Sequence, residues 1–253
     1  MSQRRPLVVA NWKMHYGIED SLKFVTEYAR LVKQDYPAEV VICPPFTSLY
    51  TMSVALAETA IQFGAQNCHQ ENSGAFTGEI SADFLKEIGC TFVIIGHSER
   101  RHIFGETDAV ISLKVSRVIE KQMKPIFCVG ETDSERELQK TFDVITRQLE
   151  TGLQNLNRDD VASLVIAYEP VWAIGTGKTA TSSQAAEVHG FIRNWFGKKF
   201  GTSHAEELRI LYGGSIKPSN FKELLAQPDI DGGLVGGASL KTQDFLSLVC
   251  QTA

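Results

Sequence analysis

Three side chains of very different chemistry stand at the ends of short apolar runs. Lys13 follows LVVANW at 7–12, His97 follows TFVIIG at 91–96, and Glu169 closes SLVIAYE at 163–169. A carboxylate that is held close and partly desolvated is a competent general base for a proton made acidic by an adjacent carbonyl. Glu169 fits that role. His97 opens HSERR, where Ser98 is placed to cap a helical turn. The positive end of such a turn disfavours imidazolium and leaves a neutral N–H donor able to polarise a carbonyl. Lys13 adds positive charge to attract a phosphorylated anion and to stabilise an enediolate. Two further runs end in Gly213-Gly214-Ser215 and Gly236-Gly237-Ala238-Ser239. Backbone amides without Cβ obstruction suit phosphate, although glycine pairs also serve simple tight turns. Each of the three side chains has a structural reading as well: a carboxylate pairing at a helix start, a solvated rim lysine, a hydrogen-bonded imidazole. The chemistry as written needs no redox cofactor and no Schiff base. The 6 histidines show no ligand spacing such as H-E-x-x-H, so no catalytic metal is expected.

Such groups can meet only if the elements that carry them converge. Short apolar, β-branched runs alternate with amphipathic stretches along the whole chain. Besides the three above they are EVVIC (39–43), IQFGA (61–65), KPIFCVG (124–130), LRILYGG (208–214) and DGGLVGG (231–237). Between them Ile18, Leu22, Val25, Ala29 and Val32 share one helical face, and Val188, Phe191, Ile192, Trp195 and Phe196 share another. Eight strand-helix units in 253 residues average about 32 residues each, the size of a βαβ repeat. The runs are continuous rather than alternating, as in parallel strands buried on both faces. A closed (β/α)8 barrel forming one domain over residues 1–253 is the expected fold. An open doubly wound sheet holds the same alternation and stays as the alternative. In a barrel, the C-terminal ends of all strands open on one face, where active sites form.

Composition narrows the partners. The 253 residues, 43% hydrophobic, suffice for a large core. With 25 Lys plus Arg against 30 Asp plus Glu, the net charge of -5 argues against nucleic acid or an anionic membrane as the main partner. The 5 cysteines are widely spaced with no C-x-x-C pair, which reads as free thiols in a reducing cytosol. The apolar run after Arg4 and Arg5 is too short for a secretory signal, and nothing approaches the roughly 18 apolar residues of a membrane span. A cytoplasmic protein is expected.

The stretch IAYEPVWAIGTGKTA (166–180) ends like a nucleotide-binding loop, G-x-x-x-x-G-K-[ST]. Counting back 5 residues from Gly177 gives Trp172 where that motif requires glycine, and an indole there obstructs the phosphate. Another long polar segment, residues 66–81, connects the third run to its helix. Loops of that length in a compact domain are usually functional or interfacial.

ANWKM, GHSERR, AYEPVWAIGTGKTA, YGGS and LVGGAS, in this order and spacing, resemble the triosephosphate isomerase family over essentially the full chain. The resemblance implies a TIM barrel and a cofactor-independent isomerase of glycolysis and gluconeogenesis that interconverts dihydroxyacetone phosphate and glyceraldehyde 3-phosphate. By that similarity Glu169 is the base and His97 the electrophile, Asn11 and Lys13 contact substrate, and Gly175, Ser215, Gly236 and Gly237 contact phosphate. Glu99 would hold the Lys13 ammonium, and Cys128 would pack behind the site. Pro170-Val171-Trp172 and Lys178-Thr179-Ala180 would be hinges of a lid with residues 173–177 as its tip. A homodimer is implied, in which the 66–81 loop inserts into the partner and Thr77 reaches the neighbouring site. Two other readings are a Schiff-base aldolase on the same barrel, with Lys13 as nucleophile, and a sugar-phosphate-binding protein without catalysis.

Overall fold

The computed structural model describes residues 4–32, 37–175 and 178–253. Its strands are β1 (Leu7–Asn11), β2 (Glu39–Cys43), β3 (Gln62–Ala65), β4 (Phe92–Ile95), β5 (Lys124–Val129), β6 (Val165–Tyr168), β7 (Arg209–Tyr212) and β8 (Gly232–Val235). All pair in parallel and in sequence order, and β1 returns to β8 with Leu7 beside Gly232 and Ala10 beside Val235. That last pairing closes the barrel and removes the open-sheet alternative.

The continuous apolar runs are explained by burial on both faces. Along each strand, alternate residues point inward, where Val9, Val41, Ile94, Ile126, Val165 and Leu211 fill the barrel. The others, among them Val8, Ile42, Val93, Ile166 and Ile210, pack outward beneath the helices. All strands but β2 are one to three residues shorter than their runs. Trp12, Gly96, Glu169, Gly213-Gly214 and Gly236-Gly237 lie past the strand ends and turn toward the barrel mouth, although Trp12, Glu169 and Gly213 each keep one backbone hydrogen bond to the neighbouring strand.

The helices are α1 (Ile18–Leu31), α2 (Leu49–Ala55), α3 (Ala82–Ile88), α4 (Ser98–His102), α5 (Asp108–Glu120), α6 (Asp133–Glu137), α7 (Thr141–Gly152), α8 (Ser182–Phe200), α9 (Thr202–Glu207), α10 (Phe221–Leu225) and α11 (Thr242–Cys250). On α8 the expected face is seen, with Val188, Ile192 and Phe196 buried. Thr181 and Gln184 start that helix as a reciprocal capping box. On α1 the expected face is only partly seen: Val25 is buried and Ala29 and Val32 pack partly buried against the core. Ser21, Phe24, Val25 and Tyr28 are buried, while Ile18 and Leu22 remain 51% and 38% exposed. The rings decide the rotation: Phe24 meets Trp12 edge-on at 5.0 Å, and Tyr28 meets Phe245 of α11 at 5.2 Å. Large aromatic surfaces bury more area than the aliphatic set they displace. Among the described residues, no helix is long and apolar enough to cross a membrane.

One buried group of α8 makes stability pH-dependent. His189 is fully buried, its Nδ1 lies 3.0 Å from the Asp229 carbonyl, and its Nε2 has no hydrogen-bond partner among the described residues. Burial pushes the imidazole down to about 4, with the Asp229 carbonyl pulling the other way. The unfolded chain protonates this side chain near 6.5, so between about pH 6.5 and 4 the unfolded state binds the extra proton. Stability from His189 is therefore complete above pH 6.5 and falls by about 3 kcal/mol as the pH drops toward 4. Urea unfolding of His189→Gln is expected to show a flatter pH profile than the parent in that window. Identical slopes would remove His189 as the source.

Candidate active site

Asn11, Lys13, His97, Glu169, Gly175, Ser215, Gly236 and Gly237 all line one cavity of about 810 Å³ at the C-terminal mouth of the barrel. Every site residue expected from the sequence is therefore in the same place, although the residues come from five strand ends and the segment after Glu169.

Glu169 directly follows β6, and its backbone N–H still donates to the Val129 carbonyl at 2.8 Å. The neighbouring strands make room for it through missing side chains. A Cβ at Gly130 would lie 1.7 Å from the Glu169 carbonyl oxygen, and one at Gly213 would lie 2.8 Å from Glu169 Cγ. The carboxylate is buried and doubly held: Oε1 is 3.0 Å from His97 Nε2, and Oε2 accepts the Ser98 N–H at 2.9 Å. Burial alone raises its pKa. The charge and hydrogen bond of His97, the Ser98 N–H and Lys13 outweigh burial and hold the carboxyl below its ordinary value, so it is ionised at neutral pH.

His97 differs from expectation in two respects: it is itself the cap of α4, and its pKa is raised rather than lowered. The residue that caps α4 is His97 itself, whose Nδ1 accepts the Glu99 N–H at 3.2 Å, and Ser98 is the first helical residue. Capping by the ring puts the imidazole proton on Nε2, facing Glu169, because Nδ1 is engaged as an acceptor. Burial lowers the pKa of this imidazole, whereas the carboxylates of Glu169 and Glu99 raise it, and the raising prevails. That pull comes chiefly from an ionised Glu169 and disappears once Glu169 takes up a proton.

Lys13 Nζ is 2.6 Å from Glu99 Oε1, and the Lys13 N–H donates to Asn11 Oδ1 at 3.1 Å. Its side chain runs beside the glycine turn after β8, since a Cβ at Gly236 would lie 3.5 Å from Lys13 Cε. A fixed cation, an ionised carboxylate, an N–H donor and two glycine turns thus surround one space. Cys128 lies inside the barrel on β5, fully buried, with its thiol pushed well above the ordinary range by burial first and Glu169 second. It is a packing residue beneath the site.

A model of the triosephosphate isomerase family matches residues 6–252. The chain belongs to the triosephosphate isomerase family. It is 50% identical to the protein named triosephosphate isomerase from Syntrophotalea carbinolica, over 97% of this chain and 98% of that one. Proteins of the same name from Geobacter metallireducens and Dictyoglomus thermophilum are 51% and 50% identical over 97% of this chain, covering 98% and 99% of their own lengths.

Some cavity residues escape a reading of the motifs that resemble the family. Lys217 and Lys241 also line the cavity, each shortly after a glycine turn. Their signal was available as basic residues in GGSIK and GGASLK. Glu131, fully buried after β5, accepts from Trp172 Nε1 at 2.9 Å, from the Tyr168 hydroxyl at 3.1 Å and from Arg136 Nη1 at 3.0 Å. It anchors the first hinge of the expected lid. Near the second hinge, Lys178 pairs with Asp133 at 2.8 Å. Of the expected tip, Ala173, Ile174 and Gly175 are seen, with Gly175 at φ 71°, while Thr176 and Gly177 lie outside the described residues.

Proposed function

We infer that this chain interconverts dihydroxyacetone phosphate and glyceraldehyde 3-phosphate through an enediolate, as its family membership supports, with Glu169 as the base and His97 as the electrophile. The observation that carries these assignments is the 3.0 Å contact between an ionised, buried Glu169 and the Nε2 of His97 inside a cavity that also holds Lys13 and both glycine turns. Glu169 removes the proton from the carbon next to the carbonyl. The His97 Nε2–H polarises the carbonyl oxygen and then shuttles protons between the two oxygens. Glu169 returns its proton to the adjacent carbon. Both oxygens of Glu169 are engaged by His97 and Ser98, so a bound substrate must draw at least one of them away before it can act.

Lys13, held by Glu99, supplies the charge that attracts the phosphate ester and balances the enediolate. Asn11 contacts the substrate. Gly175, Ser215, Gly236 and Gly237 offer N–H groups to the phosphate. An enediolate beside a phosphate ester can expel it, so the segment from Pro170 to Ala180 acts as a lid that shields the intermediate. No metal or organic cofactor enters these steps. A coupled assay of the purified protein with glyceraldehyde 3-phosphate and no added metal tests this reading. Turnover is expected; binding without turnover would favour a sugar-phosphate-binding protein, and a borohydride-trapped imine on Lys13 would favour an aldolase.

We further propose a homodimer built on the 66–81 loop. Its exposed Phe76 and Thr77 project from a base that is tied down by Asn67 to Lys114 at 3.0 Å and by Gln70 to Arg117 at 3.1 Å. A rigid base with an apolar exposed tip suits insertion into a partner. A cytoplasmic setting is consistent with the unbridged, buried cysteines Cys43, Cys68, Cys90 and Cys128.

A further inference from the structure

We propose that Gln66 is a positioning residue for the isomerisation, holding the backbone of Lys13 so that its ammonium stays aimed into the cavity; this rests on the function proposed above. Gln66 follows β3 directly and does not line the cavity. Its Nε2 donates twice, to the carbonyl of Lys13 at 2.8 Å and to the carbonyl of Cys43 at 2.9 Å. The Cys43 carbonyl, at the end of β2, also accepts the Trp12 N–H at 3.2 Å. One side-chain amide thus joins the ends of β2 and β3 to the residue that leaves β1.

Lys13 is where such a tie matters. Its φ is 52°, in the left-handed region that a side-chain-bearing residue rarely occupies without support. Tyr16, three residues on, has φ 67°. The segment between β1 and α1 therefore contains two unfavourable backbone positions, and Lys13 is gripped on both of its peptide groups: the N–H by Asn11 at 3.1 Å and the carbonyl by Gln66. Both ties are needed because the N–H bond alone leaves the following peptide free to turn. Rotation about the Lys13 N–Cα bond would carry that peptide and Cβ together, and the ammonium would leave both Glu99 and the glycine turn after β8. Gln66 thus acts on substrate only through Lys13.

The test is a comparison of Gln66→Met in two backgrounds. Methionine keeps the side-chain length and removes both donors. In the otherwise unsubstituted protein, KM for glyceraldehyde 3-phosphate is expected to rise about tenfold, with kcat changing less. The calorimetric Kd for inorganic phosphate should rise in parallel. In a Lys13→Met background the same Gln66→Met change is expected to alter kcat/KM and the phosphate Kd by less than about twofold, since the group it positions is already gone. Equal losses in both backgrounds would overturn the proposal and assign Gln66 to support of the 66–81 loop alone, as would an unaltered KM in the folded single variant. If the methionine variant unfolds, Gln66→Asn withdraws the amide by one methylene while keeping its polarity, and serves the same comparison. Absence of turnover in the unsubstituted protein would sink the functional reading instead, and the phosphate Kd values would still report whether Gln66 works through Lys13.

Discussion

Glu169→Gln is expected to fold normally and to lose about 1,000-fold or more in kcat, with KM changed little. The amide has the size of the carboxylate, and its oxygen can still accept one of the two hydrogen bonds now made by Ser98 and His97. Its NH2 group must then face the other donor, so one contact is lost. The fold loses little because the substitution also removes a buried charge, whose desolvation opposes folding. The chemistry loses nearly everything, because no other carboxylate lines the cavity beside His97, and Asp244, which also lines it, follows the β8 turn. Steady-state kinetics with far-ultraviolet circular dichroism separate the two effects. A folded variant whose kcat stays within tenfold of the parent would take Glu169 out of the proton transfer.

Lys13→Met should reduce kcat/KM by about 100- to 1,000-fold, a loss that shrinks when ionic strength is raised for both proteins. The parent holds the ammonium 2.6 Å from Glu99, and Glu99 in turn lies 3.5 Å from His97 Nδ1. Without the lysine, Glu99 loses its cation, the charge of Glu169 in the cavity is no longer offset, and Lys217 and Lys241 are the lysines that still line the cavity. Stability should move by only about 0–1 kcal/mol, because Glu99 is 39% exposed and water can solvate it once unpaired. Phosphate binding measured by calorimetry provides the check. A variant that binds phosphate as tightly as the parent would show that the glycine turns, not Lys13, carry the anion.

The parts of this site that were legible in the sequence share a feature: each depends on local order along the chain. Continuous apolar runs at regular intervals are what strands buried on both faces require, and a site residue at the end of a run needs no long-range knowledge to be picked out. Glu169, His97, Lys13 and the two glycine turns were found in that way, and the family motifs extended the set to Asn11, Gly175 and Ser215. The capping of α4 was misread because a serine after a histidine is the ordinary cap, whereas here the ring nitrogen takes that place. On α1, Ile18 and Leu22 stay exposed against expectation, because periodicity weighs aliphatic residues without knowing that Trp12 and Phe245 wait to receive Phe24 and Tyr28.

The residues that sequence could not supply are those whose role is set by a partner far along the chain. Gln66 meets Lys13, 53 positions away. Glu131 meets Trp172 across 41 positions, and nothing near CVGE distinguishes it from a surface acid. By itself the sequence determined the eight-unit alternation, the chemical types at the strand ends and the family. Ring closure, the 3.0 Å approach of His97 to Glu169, and the supports behind Lys13 and Trp172 were decided only by the tertiary structure. The physical reason is that propensity and periodicity act over a few residues, whereas hydrogen bonds between strand ends depend on barrel register, which all eight strands set together.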